Sequence, residues 1–126
     1  MKRFGFPRQA RLIHKRDFDR VHREGKRLFV FPLRLRALRR SQGDSRLGLA
    51  IGRKVGGAVV RNRWKRAVRE AFRLNRHRLR GPYDLVVSVS WDAGPDGVSA
   101  VGAAFIGLVD RLNAQDEGAS PAVPSD

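Results

Sequence analysis

Apolar positions along the chain recur with two periods, near 3.6 and near 2, and each period assigns an element. In KRDFDRVHRE (15–24), Phe18, Val21 and His22 share one side at i, i+3 and i+4 and Gly25 follows as a stop, so a short helix is expected. LFVFPLRLRAL (28–38) reads as one strand with Pro32 pushing it towards an edge or a bulge, and SQGDS (41–45) reads as a turn. RLGLAIGRKV (46–55) is a second extended stretch, VGGAV turns the chain, and a helix is expected from about Ala58 to Asn75. GPYDLVVSVSW (81–91) is a strand opened by Gly-Pro. VSAVGAAFIGLVDRLNAQ (98–115) is a closing helix with Val98, Val101, Phe105, Leu108, Val109 and Leu112 along one side. No internal repeat is found.

Strand alternation separates two faces. Leu33, Leu35 and Ala37 oppose Arg34 and Arg36; Leu47, Leu49 and Ile51 oppose Gly48, Ala50 and Gly52; Tyr83, Leu85, Val87 and Val89 oppose Asp84, Val86, Ser88 and Ser90. The first set reads as core. The second reads either as a solvated antiparallel face whose small residues allow twist, or as a shallow basic trough for an extended nucleic acid strand.

The long helix is two-sided. With Val60 at zero and about 100° per residue, Trp64, Ala67, Val68, Ala71 and Phe72 fall within about 120° of it, while Arg61, Asn62, Lys65, Arg66, Arg69, Arg73 and Arg76 span roughly the opposite half. Glu70 is the one acid among these charges. A solvated helix normally mixes signs to gain i,i+4 pairs; a single-sign face at one-turn spacing can follow a phosphate ribbon instead.

Composition adds a direction. With 126 residues and 41% hydrophobic positions the chain is one domain's worth, organised as a flexible basic arm over 1–14, a domain over 15–114 and a disordered tail over 115–126. The balance of 27 Lys+Arg against 12 Asp+Glu is +15, and it is uneven: residues 1–80 hold 26 basic and 5 acidic residues, residues 81–126 hold 1 and 7. A basic field of that size points to a polyanion, and its spread over several elements favours nucleic acid over an anionic membrane. Cysteine is absent, which excludes disulfides and thiolate metal sites and suits the cytoplasm. The start MKRFGFPRQARL has no apolar run of signal-peptide length after it, and no later stretch approaches the ~20 apolar residues of a membrane span, so no membrane association is expected.

Enzymatic constellations are missing. His14, His22 and His77 lie on three segments, and no Ser or carboxylate stands at a spacing that makes a triad or a nuclease pair. No H-E-x-x-H spacing occurs, and GRKVGGA (52–58) lacks the Lys-Ser/Thr ending of a phosphate loop. Phe18 and Trp64 could each stack on a base; Trp64 sits on the apolar helix side and reads as core, while Phe18 is open between core and base platform.

RLGLAIGRKVGGAVVRNRWKRAVREAFR resembles the signature of the protein subunit of bacterial ribonuclease P, with Arg61-Asn62-Arg63-Trp64-Lys65-Arg66 and Arg69-Glu70 filling each position of the R-N-R-x-K-R-x-x-R-E helix. RDFDRVHREGKR, YDLVVSV and the closing helix extend the resemblance over roughly residues 8–114. It implies an α+β fold, a single-domain α/β sandwich in the order αβββαβα whose four-stranded sheet contains a left-handed βαβ crossover. It also implies a large catalytic RNA that uses bound Mg²⁺ to remove the 5′ leader of precursor tRNA, the protein supplying no catalytic residue. Its implied RNA-binding residues are Arg61, Asn62, Arg63, Lys65, Arg66, Arg69 and Arg73, and its implied leader-cleft residues are Phe18, His22, Arg36, Arg53 and Lys54. His22 and Arg36 stand where an aromatic is usual, and Gly52 and Gly57 where Ser and Asn are typical. A cleft with less stacking and more charge is expected. A ribosomal or general RNA-binding protein and a protein-only nuclease are the competing functions; composition does not separate the first from a ribozyme cofactor, and only the motif does.

Overall fold

The computed structural model describes residues 8–90 and 92–119. Helix α1 (Lys15–Glu24) is followed by strands β1 (Lys26–Val30), β2 (Leu33–Arg39) and β3 (Arg46–Leu49), helix α2 (Ala58–Asn75), strand β4 (Tyr83–Val89) and helix α3 (Val101–Ala119). This is the αβββαβα order of an α+β domain. The sheet runs β1-β2-β4-β3, antiparallel except for β3, which lies parallel to β4. Parallel neighbours cannot be joined by a hairpin, and α2 makes the crossover between them.

The alternation in the strands decides what each face buries. Leu33, Leu35 and Ala37 pair with Val89, Val87 and Leu85, and Leu47 pairs with Leu85 on the other side. All are buried in one cluster with Trp64, Val68 and Phe72 of α2 and Phe105, Leu108 and Leu112 of α3. Phe72 and Phe105 meet edge to face, 6.4 Å apart and at 87°, the arrangement that ring quadrupoles favour. Helix α1 lies on the opposite face against β2 and β4, with Val21 fully buried.

Four expectations are corrected. The stretch 28–38 is two strands of a hairpin, with Phe31-Pro32 as its turn; Pro32 has no N–H for a ladder, so the chain reverses there instead of bulging. The extended stretch 46–55 is a strand only to Leu49, and Arg53–Val55 form a 3-10 turn that leads into α2. The expected arm over 1–14 packs on the domain in its described part: Ala10 and Leu12 are buried, and the Leu12 N–H donates to the Leu47 carbonyl at 2.9 Å, alongside a bridge between Arg11 and Leu47. Apolar Ala10 and Leu12 thus cover the exposed edge of β3, and residues 1–7 lie outside the described residues. The expected tail from 115 instead continues α3 to Ala119, where Asp116 meets the Lys26 ammonium at 2.6 Å; residues 120–126 lie outside the described residues.

Candidate nucleic-acid interface

For the positions it sorts, the helical wheel of α2 is realised in the packing; Arg63, which falls about 60° from Val60 on the apolar side, is exposed as well. Trp64, Val68, Ala71 and Phe72 are buried, whereas Asn62, Arg63, Arg66, Arg69 and Arg73 are exposed and Arg61 and Lys65 are half-buried. Arg61 Nε donates to the Gly56 carbonyl at 3.2 Å and fixes the start of the helix to the turn before it. Glu70 is engaged by Arg73 at 2.6 Å, a pair that raises the Arg73 pKa through its hydrogen bond. Among the described residues no acid pairs with Arg63, Lys65, Arg66 or Arg69. Four uncompensated cations on one helix form a fixed positive stripe.

The second surface is the face of the sheet that α1 crosses, and there the expected cleft residues divide. Phe18 lies over Gly48 so closely that a Cβ at that position would stand 2.6 Å from its Cζ. The half-buried ring borders a cavity of about 290 Å³ with Lys65 and Arg69, so it adjoins the basic stripe of α2. His22 and Arg36 belong to a different cavity, of about 590 Å³, floored by Ala50, Val86 and Ser88. Arg36 Nη1 donates to the His22 carbonyl at 2.7 Å, bridging sheet and helix at that cavity. Arg53 and Lys54 are exposed on the 3-10 turn and line neither cavity.

The open face is also less open than alternation suggests. Gly48 is covered by Phe18, Ser90 is buried, and Asp84 is 2% exposed at the centre of a charge cluster. Arg46 reaches Asp84 with two hydrogen bonds of 2.7 Å, Arg40 and Arg20 stand at 3.7 and 3.9 Å, and Arg20 also holds Asp17 of α1 at 3.2 Å. The hydrogen bond from Arg46 to Asp84 raises the Arg46 pKa against the opposing effect of burial. This cluster ties α1 to the sheet through Arg20–Asp84 and Arg46–Asp17.

Pattern reading missed Phe29 and Arg27, both of which line the larger cavity. The signal was present: with Phe31-Pro32 as the turn, Phe29 falls opposite Arg34 and Arg27 opposite Arg36, on the open face. Among the described residues no three His, Asp or Glu side chains converge to hold a metal, and no helix is long and apolar enough to cross a membrane.

Residues 6–113 match the family model described as Ribonuclease P. The chain is 40% identical over 86 residues to the ribonuclease P protein component of Dictyoglomus thermophilum, covering 68% of this chain and 72% of that one. It is 36% identical over 121 residues to that of Desulfovibrio desulfuricans, covering 89% of each. The RNase P protein of Thermotoga maritima superposes with a TM-score of 0.71 at 31% identity, over 80% of this chain and 96% of that one.

Proposed function

The chain belongs to the ribonuclease P protein family, and we propose that it is the RNA-binding subunit of that endoribonuclease, aiding a catalytic RNA in removing the 5′ leader of precursor tRNA. The reading is supported above all by one observation: Arg63, Lys65, Arg66 and Arg69 of α2 have no acidic partner among the described residues. Uncompensated charge on a rigid helix releases counterions from RNA on contact and lowers the cost of bringing two polyanions together. In this reading Arg61, Asn62, Arg63, Lys65, Arg66, Arg69 and Arg73 face the ribonuclease P RNA. The sheet face, with Phe18, His22 and Arg36 and with Arg53 and Lys54 near its edge, holds the single-stranded leader through backbone charge and stacking.

Bond cleavage is assigned to the RNA. The protein's part is binding and orientation, and Mg²⁺ is held mainly by the RNA. The place of work is the cytoplasm, where precursor tRNA is matured.

The test is a cleavage assay on precursor tRNA at low Mg²⁺ with the protein alone, the ribonuclease P RNA alone and both together. Cleavage that needs both supports the reading. Cleavage by protein alone makes the chain a nuclease, and no stimulation of the RNA makes it an RNA-binding protein of another kind.

A further inference from the structure

We propose that Phe29 is a base-stacking residue that fixes where single-stranded RNA is gripped on the sheet, an inference that rests on the leader-binding reading above. Phe29 is 48% exposed on β1 and lines the larger cavity, whereas Phe18 faces the smaller one. Phe31 stands against it at 77°, ring centres 6.5 Å apart, which restricts the Phe29 ring without covering it.

The surrounding charges favour a nucleotide. Register places Phe29, Arg34 and Ser88 in one row across β1, β2 and β4, and Arg27, Arg36 and Val86 in the next. At about 4.8 Å per strand, a row of three spans about 10 Å from aromatic to hydroxyl. Arg27 directly opposite Arg36 is an unfavourable like-charge pair for the fold alone. No acid neutralises Arg27, Arg34 or Arg36 among the described residues, while Arg36 is held by a carbonyl. A phosphate between these guanidiniums relieves the repulsion, and its base then reaches the exposed ring on β1. A second copy of the chain fits the same patch poorly: it would bring another three arginines onto these, and the Phe29 carbonyl on the strand edge is already taken by Arg111 Nη1 at 3.0 Å.

The test uses the full chain and a fluorescent ten-nucleotide single-stranded RNA, intact or with one abasic site moved along it. Phe29→Leu keeps the apolar bulk and removes the π-face; Phe29→Tyr keeps both. The expected result is about 5- to 10-fold weaker binding for Phe29→Leu, the low end of what one stacked base contributes. Phe29→Tyr is expected within about 2-fold of the parent, on the same scale. In the parent one abasic position gives a matching loss, and Phe29→Leu abolishes that positional loss. If the parent binds and Phe29→Leu binds equally well with an unchanged abasic profile, the Phe29 assignment falls and the leader reading stands. Equal losses in Tyr and Leu also overturn it. If the parent does not bind the RNA, the leader reading falls and takes this inference with it. If Phe29→Leu alters sedimentation but leaves RNA affinity unchanged, the patch is a contact between copies and the proposal is wrong.

Discussion

Arg46 on β3 grips Asp84 on β4 with two parallel hydrogen bonds of 2.7 Å, across the parallel pair of strands that α2 connects. Asp84 is 2% exposed and gathers three arginines, so its carboxylate is the pivot of the charge cluster under α1. Replacing Asp84 by Leu should cost about 3 to 5 kcal/mol, because Arg46 is left as a mostly buried charge without its main partner. Adding Arg46→Met should recover at least half of that loss, read as a return of the urea midpoint with an unchanged slope. A double variant no more stable than Asp84→Leu would show that the pair's worth lies elsewhere than in mutual compensation.

Arg66 and Arg69 are exposed and have no acidic partner among the described residues, so their removal should barely touch the fold, within about 0.5 kcal/mol. Each change to Ala should weaken binding of the ribonuclease P RNA and reduce the slope of log affinity against log salt by about one. An Arg66→Ala protein that melts early and binds normally would reverse the assignment of helix sides.

Trp64 is the converse case, fully buried between the sheet and the segment at Gly97. Truncation to Ala should cost about 3 to 5 kcal/mol by thermal or urea unfolding. Trp64→Phe should cost clearly less, since it keeps part of the packing and removes an indole N–H that is buried without a hydrogen-bond partner among the described residues.

Gly48 and Phe18 share one space. Gly48→Ala should displace the ring and cost about 1 to 3 kcal/mol, while Gly48→Ala with Phe18→Ala should cost less than the sum of the two single changes. A strictly additive result, measured by denaturant unfolding, would mean that the ring moves away at no cost.

Arg36 places a guanidinium at the larger cavity, between the sheet and α1. Arg36→Tyr should lower the salt slope of single-stranded leader binding by about 0.7, the value for neutralising one phosphate fewer on a single strand. A slope that stays unchanged contradicts a charge-weighted cleft.

Much of this was legible in the sequence because it depends on local periodicity. The limits of α1 and α2, the buried side of α3 and the partition of α2 into Trp64, Val68 and Phe72 against Arg66 and Arg69 all follow from side chains three and four positions apart. The R-N-R-x-K-R-x-x-R-E run identified the family for the same reason, being contiguous in the chain. What depended on pairing across the chain was not legible. Alternation places Asp84 on an open face, and only the arrival of α1 with Arg20 and Asp17, and of Arg46 from the neighbouring strand, makes that position a buried charge centre. The turn at Phe31-Pro32 decides that Phe29 and Arg34 are neighbours, and the docking of Leu12 on Leu47 turns an expected arm into a cover for β3. Periodicity says which way a side chain faces along its own element; what meets it there is set by segments tens of residues away, whose placement is fixed only when the sheet closes.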